Sequence, residues 1–259
     1  MSTDSLHLGQ NLKAALFALP KGMPVTTGQM EERGISRQLV HKYVKNGWME
    51  PLGNGYYRRP GDEITRNGAL AALNLQGAQL HIGGKSALAE HGSTHYLALG
   101  NQRLYLYSSK RKRLPHWFVE QFYGELRTNR LFGEEGEPGH RLQVRQQSEQ
   151  DRYSPYLSSP ERALLEMLDE VPHRQSRDEA SKLMEPLYTL RSSVLQELLE
   201  ACSRIKVKRL FFALAKELKL PVLQGLDLSR IHFGSDSVYI RTQKGSSLIL
   251  RNPGKQADA

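Results

Sequence analysis

The sequence predicts an α+β protein: an N-terminal winged helix-turn-helix followed by a mixed α/β and helical region that ends in short antiparallel strands. Three observations predict it. Between Val25 and Arg59 two short helical patterns are followed by a Gly-rich hairpin. From residue 61 to about 150 helical and strand patterns alternate, and from Ser159 to Leu218 apolar residues recur at helical spacing. The division places a domain at 1–60 and a second region at 61–259, with a sub-boundary expected near 150 in a weakly patterned stretch.

Leu12, Ala15, Leu16 and Leu19 form one stripe of a first helix, which Pro20 and Gly22 end. Thr26 and Thr27 can cap a short second helix, Gly34 permits the tight turn after it, and Ser36 can cap a third. Gly53-Asn54-Gly55 is a turn of residues that tolerate positive φ, set between Met49–Leu52 and Tyr56–Arg59. Asp62 to Leu75 reads as a helix stopped by Gly77, with strands at Gln79–Ile82 and Arg103–Tyr107 and a helix at Lys85–Glu90 between them. Gly133 to Gly139 is a polar loop. Ser159 and Pro160 start a helix carrying Ala163, Leu164, Met167 and Leu168, with further helices near Asp178–Leu190 and within Ser193–Leu218. Ile231–Phe233, Val238–Thr242 and Ser247–Leu250 are expected strands, with turns at Gly234 and Gly245. Pro253 to Ala259 are expected to be disordered.

Composition narrows the function classes. No apolar run approaches the roughly 18 residues of a membrane span, so no membrane partner is expected. Met1 to Gly9 lacks a secretory signal, which places the protein in the cytoplasm as an expectation. The single Cys202 has no thiol partner for a disulfide or zinc site and reads as core. Net charge is +9 and favours a polyanion. The excess is local: residues 1–60 hold eight Lys/Arg against four Asp/Glu, whereas residues 151–220 nearly balance, twelve against eleven.

The third helix has two faces. Leu39, Val40, Tyr43 and Val44 fall on one side, and Arg37, Gln38, His41, Lys42 and Lys45 on the other. An apolar back and a donor-rich front suit a helix lying in the major groove of double-stranded DNA, with Arg37 and Gln38 near base edges and Lys42 and Lys45 near phosphates. The wing adds its two arginines, Arg58 and Arg59, beside the backbone or minor groove. An isolated basic helix face is more often a solvated surface, but helix, Gly turn, capped helix and Gly-rich hairpin occur here in order.

Other motifs are incomplete. Gly83-Gly84-Lys85-Ser86 opens a helix after a strand, but Gln79 stands where a phosphate loop needs glycine, so the glycines read as a tight turn. His81, His91 and His95 lack the spacing of a helical metal site, and no metal or cofactor is expected. Glu217-Leu218-Lys219 matches half of a nuclease signature, with no partner acid at recognisable spacing, and no catalytic set is complete. Lys110 to Arg113 is a basic cluster that reads equally as a solvated loop or a phosphate contact.

The segments GISRQLVHKYVKNGWMEPLGNGYY, HIGGKSALAEHGSTHYL with LPHWF, SPERALLEMLDEVP, TLRSSVLQELLEAC and KVKRLFFALA carry a resemblance that spans the chain. The sequence resembles the AbiEi family, antitoxins of type IV abortive-infection toxin–antitoxin systems. The resemblance implies binding of operator repeats in double-stranded DNA through the winged helix, repression of the chain's own operon, and opposition to a cognate nucleotidyltransferase toxin by the C-terminal region without need of a stable complex. By that analogy Thr26, Thr27, Arg37, Gln38, His41, Lys42, Lys45 and the wing around Asn54 to Arg59, with Asn54, Tyr56, Arg58 and Arg59, carry DNA contact. The antitoxic surface is sought on Pro160 to Leu218, with Arg162, Arg191, Lys206, Lys208 and Arg209 as candidates. The expected protein is therefore not an enzyme. One rival reading is a winged-helix transcription regulator whose C-terminal domain senses a ligand or dimerises, with no toxin partner; another is a DNA-cleaving enzyme using Glu217 and Lys219.

Overall fold

The computed structural model describes residues 21–92, 102–110, 113–128, 130–133, 141–235, 238–241 and 247–254. The expected first helix at Leu12 to Leu19, most of the Gly133–Gly139 loop, the turn at Gly245, and Arg111 and Lys112 lie outside these residues. The chain divides into two compact units, the first formed by residues 1–80, 112–125 and 147–155 and the second by the remainder.

In chain order the described elements begin with β1 (Val25–Thr26), α1 (Thr27–Glu31), α2 (Arg37–Lys45), β2 (Glu50–Gly53), β3 (Tyr56–Arg58), α3 (Arg66–Leu75), β4 (His81–Ile82), α4 (Gly84–Glu90), β5 (Leu104–Ser108), α5 (His116–Phe122) and β6 (Gly124–Thr128). They continue with β7 (Val144–Gln146), β8 (Tyr156–Ser158), α6 (Pro160–Asp169), α7 (Arg177–Met184), α8 (Ser192–Ala201), α9 (Ile205–Glu217), β9 (Val238–Arg241) and β10 (Ser247–Leu250). No described helix is long and apolar enough to cross a membrane.

The first unit is built on a three-stranded sheet of order β1-β3-β2, with both pairings antiparallel. Val25 pairs with Tyr57 and Thr26 with Tyr56, so the strand entering α1 is clamped onto the wing. Met30, Ile35, Val40, Tyr43 and Met49 are buried together with Tyr56, whose ring lies 5.4 Å from that of Trp117 on α5. Helix α3 buries Ala69 to Leu73 and starts at Arg66 rather than at the expected Asp62. The reason is polar pairing: Asp62 accepts from the Gly22 amide and from Arg59, and Thr65 takes over as N-cap by accepting from Gly68. Gly68 allows close approach, because a Cβ there would run into the Gly22 carbonyl.

The second unit holds a five-stranded sheet of order β6-β5-β4-β8-β7, in which β4 pairs parallel with β8 and antiparallel with β5. Helix α6 is its centre. Ser159 caps it by accepting from the Arg162 amide, Pro160 occupies the first turn, and every residue from Glu161 to Leu168 is buried. Such a helix cannot keep a polar face in water, so each buried charge on it is paired inside. The expected strand at Gln79–Ile82 forms only at His81–Ile82, because Gln79 has φ +53°. The expected strand at Ile231–Phe233 is irregular backbone, since the Phe233 and Gly234 carbonyls are taken by Arg209 of α9. Strands β9 and β10 form the expected hairpin, with Tyr239 opposite Ile249.

Candidate nucleic-acid interface

Two caps set the helix-turn-helix. Thr26 forms a capping box with Gln29, accepting from the Gln29 amide while its own amide donates to the Gln29 side chain at 2.9 Å. Ser36 accepts from the Leu39 amide at the start of α2, and Gly34 between the helices has φ +76°. Val40 and Tyr43 are buried, whereas Arg37, Gln38, His41, Lys42 and Lys45 are exposed on one side of the helix. The structure thus brings these five donor-bearing residues together on one accessible surface. Lys42 and Lys45 stand in the last turn, where cations suit the helix dipole.

Arg37 donates to Glu31 at 2.7 Å, with its side chain 78% exposed. An exposed ion pair of this kind is worth about 0–1 kcal/mol, so the guanidinium exchanges readily for a stronger acceptor. The wing is anchored to α1, since the amide and hydroxyl of Thr27 both donate to the Gly55 carbonyl, at 2.9 and 3.2 Å. Gly53, Asn54 and Gly55 all adopt positive φ, and Asn54 is exposed at the tip. Arg58 is half-exposed and donates to Glu50.

Three expected contact residues sit further inside than the sequence implied. Thr26 is 3% exposed, with its hydroxyl accepting from Gln29 and from Gln76. Tyr56 is part of the core, and burial pushes its phenol pKa up. Arg59 is largely covered and paired with Asp62. These residues shape the wing from within. The structure adds Asn46 and Trp48 to the exposed surface beside Lys45, with Trp48 stacked on Tyr43 at 5.6 Å. The signal available in the sequence for this extension is the tryptophan that follows the basic helix in Lys45-Asn46-Gly47-Trp48.

The antitoxic surface proposed from helix position needs the same correction. Arg162 is 3% exposed and Lys208 and Arg209 are each 2% exposed, so these three form no surface. Arg162 donates to Glu166 at 2.8 Å, and Arg209 donates to the backbone carbonyls of Phe233, Gly234 and Leu250. Burial lowers the Lys208 pKa. Lys206 is partly covered and donates to the Asp169 and Val171 carbonyls. Only Arg191 stays prominently exposed, and it embraces the buried Glu161 through its guanidinium and its own amide. Burial raises the Glu161 carboxyl, but the Arg191 hydrogen bonds outweigh it and bring the pKa down.

The remaining motifs have internal partners. At the Gly83-Gly84-Lys85-Ser86 turn the Gly84 amide donates to Glu166 at 3.1 Å, and Lys85 donates to Glu179. A carboxylate of the protein itself therefore occupies the position a phosphate would need. Glu166 also accepts from Ser158 and from His81, and His81 stacks on Tyr107. Burial holds His81 below its usual range, so near neutrality this contact is a hydrogen bond donated by an uncharged imidazole. Glu217 pairs with Arg177, and Lys219 lies just past the helix end with φ +53°. Among the described residues no group of three His, Cys, Asp or Glu is placed to hold a metal ion.

Comparison with known proteins agrees with this architecture. The crystal structure of the RV2827C protein from Mycobacterium tuberculosis superposes with a TM-score of 0.53 at 15% identity, covering 89% of this chain and 87% of that one, which shows a shared fold. A search of curated proteins found no match. A family model described as "Transcriptional regulator, AbiEi antitoxin N-terminal domain" matches residues 9–99, and one described as "Transcriptional regulator, AbiEi antitoxin, Type IV TA system" matches residues 101–251. The chain belongs to the AbiEi family of antitoxin transcriptional regulators of type IV toxin–antitoxin systems.

Proposed function

We propose that this protein represses its own operon in the cytoplasm by binding operator repeats in double-stranded DNA, and that it counters a cognate nucleotidyltransferase toxin. In this reading residues 1–60 carry DNA recognition and residues 61–259 carry toxin opposition. The observation that supports DNA binding best is the single exposed face of α2, where Arg37, Gln38, His41, Lys42 and Lys45 stand together over a buried Val40 and Tyr43. Lysines and arginines there displace counterions from phosphates, which gives affinity. Arg37 and Gln38 at the helix start have the donors to read guanine and adenine edges, which gives specificity. Thr27, Asn54 and Arg58 hold or form the wing that follows the backbone.

Growth rescue tests the paired activities. The adjacent nucleotidyltransferase gene is induced with the full chain, either wild type or carrying Lys42→Glu and Lys45→Glu. Rescue by both proteins, with loss of DNA binding in the variant alone, is expected. Toxicity unrelieved by the wild-type chain would overturn the antitoxin half of the proposal.

A further inference from the structure

Helix α2 begins beside an acid. Glu31 ends α1 and Arg37 opens α2, and the turn between them brings the two side chains together. Met30 and Ile35 are fully buried, the Ile35 amide donates to the Met30 carbonyl at 2.9 Å, and the Gly34 amide donates to the Glu31 carbonyl at 2.9 Å. The end of α1 is thereby held against the start of α2. Arg33, nearer in sequence, donates to the Gln29 carbonyl at 2.8 Å, so the Glu31 carboxylate meets the cation of α2 instead.

The contact uses one nitrogen of the guanidinium. Arg37 Nε donates to Glu31 Oε1 at 2.7 Å, and Nη1 and Nη2 donate to no described residue. These two terminal nitrogens form a planar fork suited to a pair of adjacent acceptors, which the O6 and N7 atoms of guanine present in the major groove. A phosphate also offers two oxygens, but it carries a charge. The Glu31 carboxylate repels that charge at close range and does not repel a neutral base edge. Arg37 must therefore release Glu31 to serve a phosphate, and can keep it while reading guanine. The acid lowers attraction to a polyanion overall, and the gain is selectivity.

We propose that Glu31 is a positioning residue that makes Arg37 select guanine edges over phosphates, an inference resting on the proposed reading of DNA by α2.

Competition binding of the full chain to a duplex from its own upstream region and to a scrambled duplex is the test, with wild type, Glu31→Gln, Arg37→Ala and the double variant. Glu31→Gln removes the charge at constant size from a side chain that is 42% exposed, so helical circular dichroism is expected to stay unchanged. It is expected to tighten binding to the scrambled duplex and to lower the ratio of upstream to scrambled affinity by about fivefold or more. In the Arg37→Ala background the same substitution is expected to leave that ratio unchanged, because the group it positions is gone. Replacing guanine by 7-deazaguanine in the upstream duplex removes the N7 acceptor and is expected to weaken wild type more than Arg37→Ala. A wild-type preference that survives Glu31→Gln undiminished, an equal fall in the ratio with and without Arg37, or equal sensitivity of wild type and Arg37→Ala to 7-deazaguanine would each overturn the role of Glu31 alone. Absence of any preference in the wild type would overturn the reading of DNA by α2, and this role with it.

Discussion

Glu166 is fully buried, yet four groups donate to it: Arg162, His81, Ser158 and the Gly84 amide. Burial by itself raises its carboxyl, and the fields and hydrogen bonds of His81 and Arg162 outweigh that and bring the pKa down to about 2. Glu166→Gln leaves the Arg162 guanidinium buried without its counter-charge, so a loss of about 3 kcal/mol is expected in denaturant unfolding. The pH dependence follows in sign. A carboxyl held below its ordinary 4.5 contributes stability that is complete above that value and lost as pH falls toward about 2. His81, held below 6.5 by burial, acts in the same direction, because the unfolded chain takes up its proton first. Stability should therefore decline from below about pH 6.5 and fall further below about 4.5; a melting temperature constant from pH 7 to 4 would contradict this assignment. On α2, residues differ in role rather than in charge alone. Arg37→Ala should relax preference for operator over random duplex, whereas Lys45→Ala should weaken both alike; competition binding with the two duplexes separates these outcomes.

At the scale of elements, close approach at Gly68 makes a sharp prediction. The start of α3 is bonded to the Gly22 carbonyl through the Thr65 amide and hydroxyl, and a Cβ at position 68 would strike that same backbone. Gly68→Ala should cost about 1–3 kcal/mol in spite of alanine's better helix propensity, measured by thermal unfolding. The elements legible in the sequence were those with local signals. Thr26, Ser36 and Ser159 cap the helices they precede, Gly53-Asn54-Gly55 turns the wing, and the spacing of Leu39, Val40 and Tyr43 marks the covered face of α2. What stayed hidden depends on partners distant in sequence. Asp62 looks like a helix start until Gly22 and Arg59 claim it. Arg209 looks like a solvated cation until the carbonyls of Phe233 and Leu250 close around it. Arg162 was nearer to recognition, since Glu166 follows at i+4, but a two-faced reading of helix α6 sends both charges outward, and the helix is buried all round.

For the whole molecule, net charge overstates the surface available to a polyanion. The chain carries +9, but Lys208 and Arg209, two of the cations beyond residue 150, are interior and reach no polyanion, while Arg162 and Arg191 are matched by Glu166 and Glu161. The accessible, donor-rich surface on the winged helix is α2, and DNA affinity should depend on it. Each phosphate neutralised on duplex DNA contributes a slope of about −0.9 to the dependence of log affinity on log salt. The measurement that tests this most directly is a titration of the full chain against a duplex from its own upstream region and against a scrambled duplex, at several salt concentrations. The wild-type protein is compared with one carrying Lys42→Glu and Lys45→Glu. Tighter binding to the upstream duplex, a steep salt slope, and loss of both in the variant are predicted; equal binding to the two duplexes, or a variant with undiminished affinity and slope, would contradict recognition of DNA by this helix.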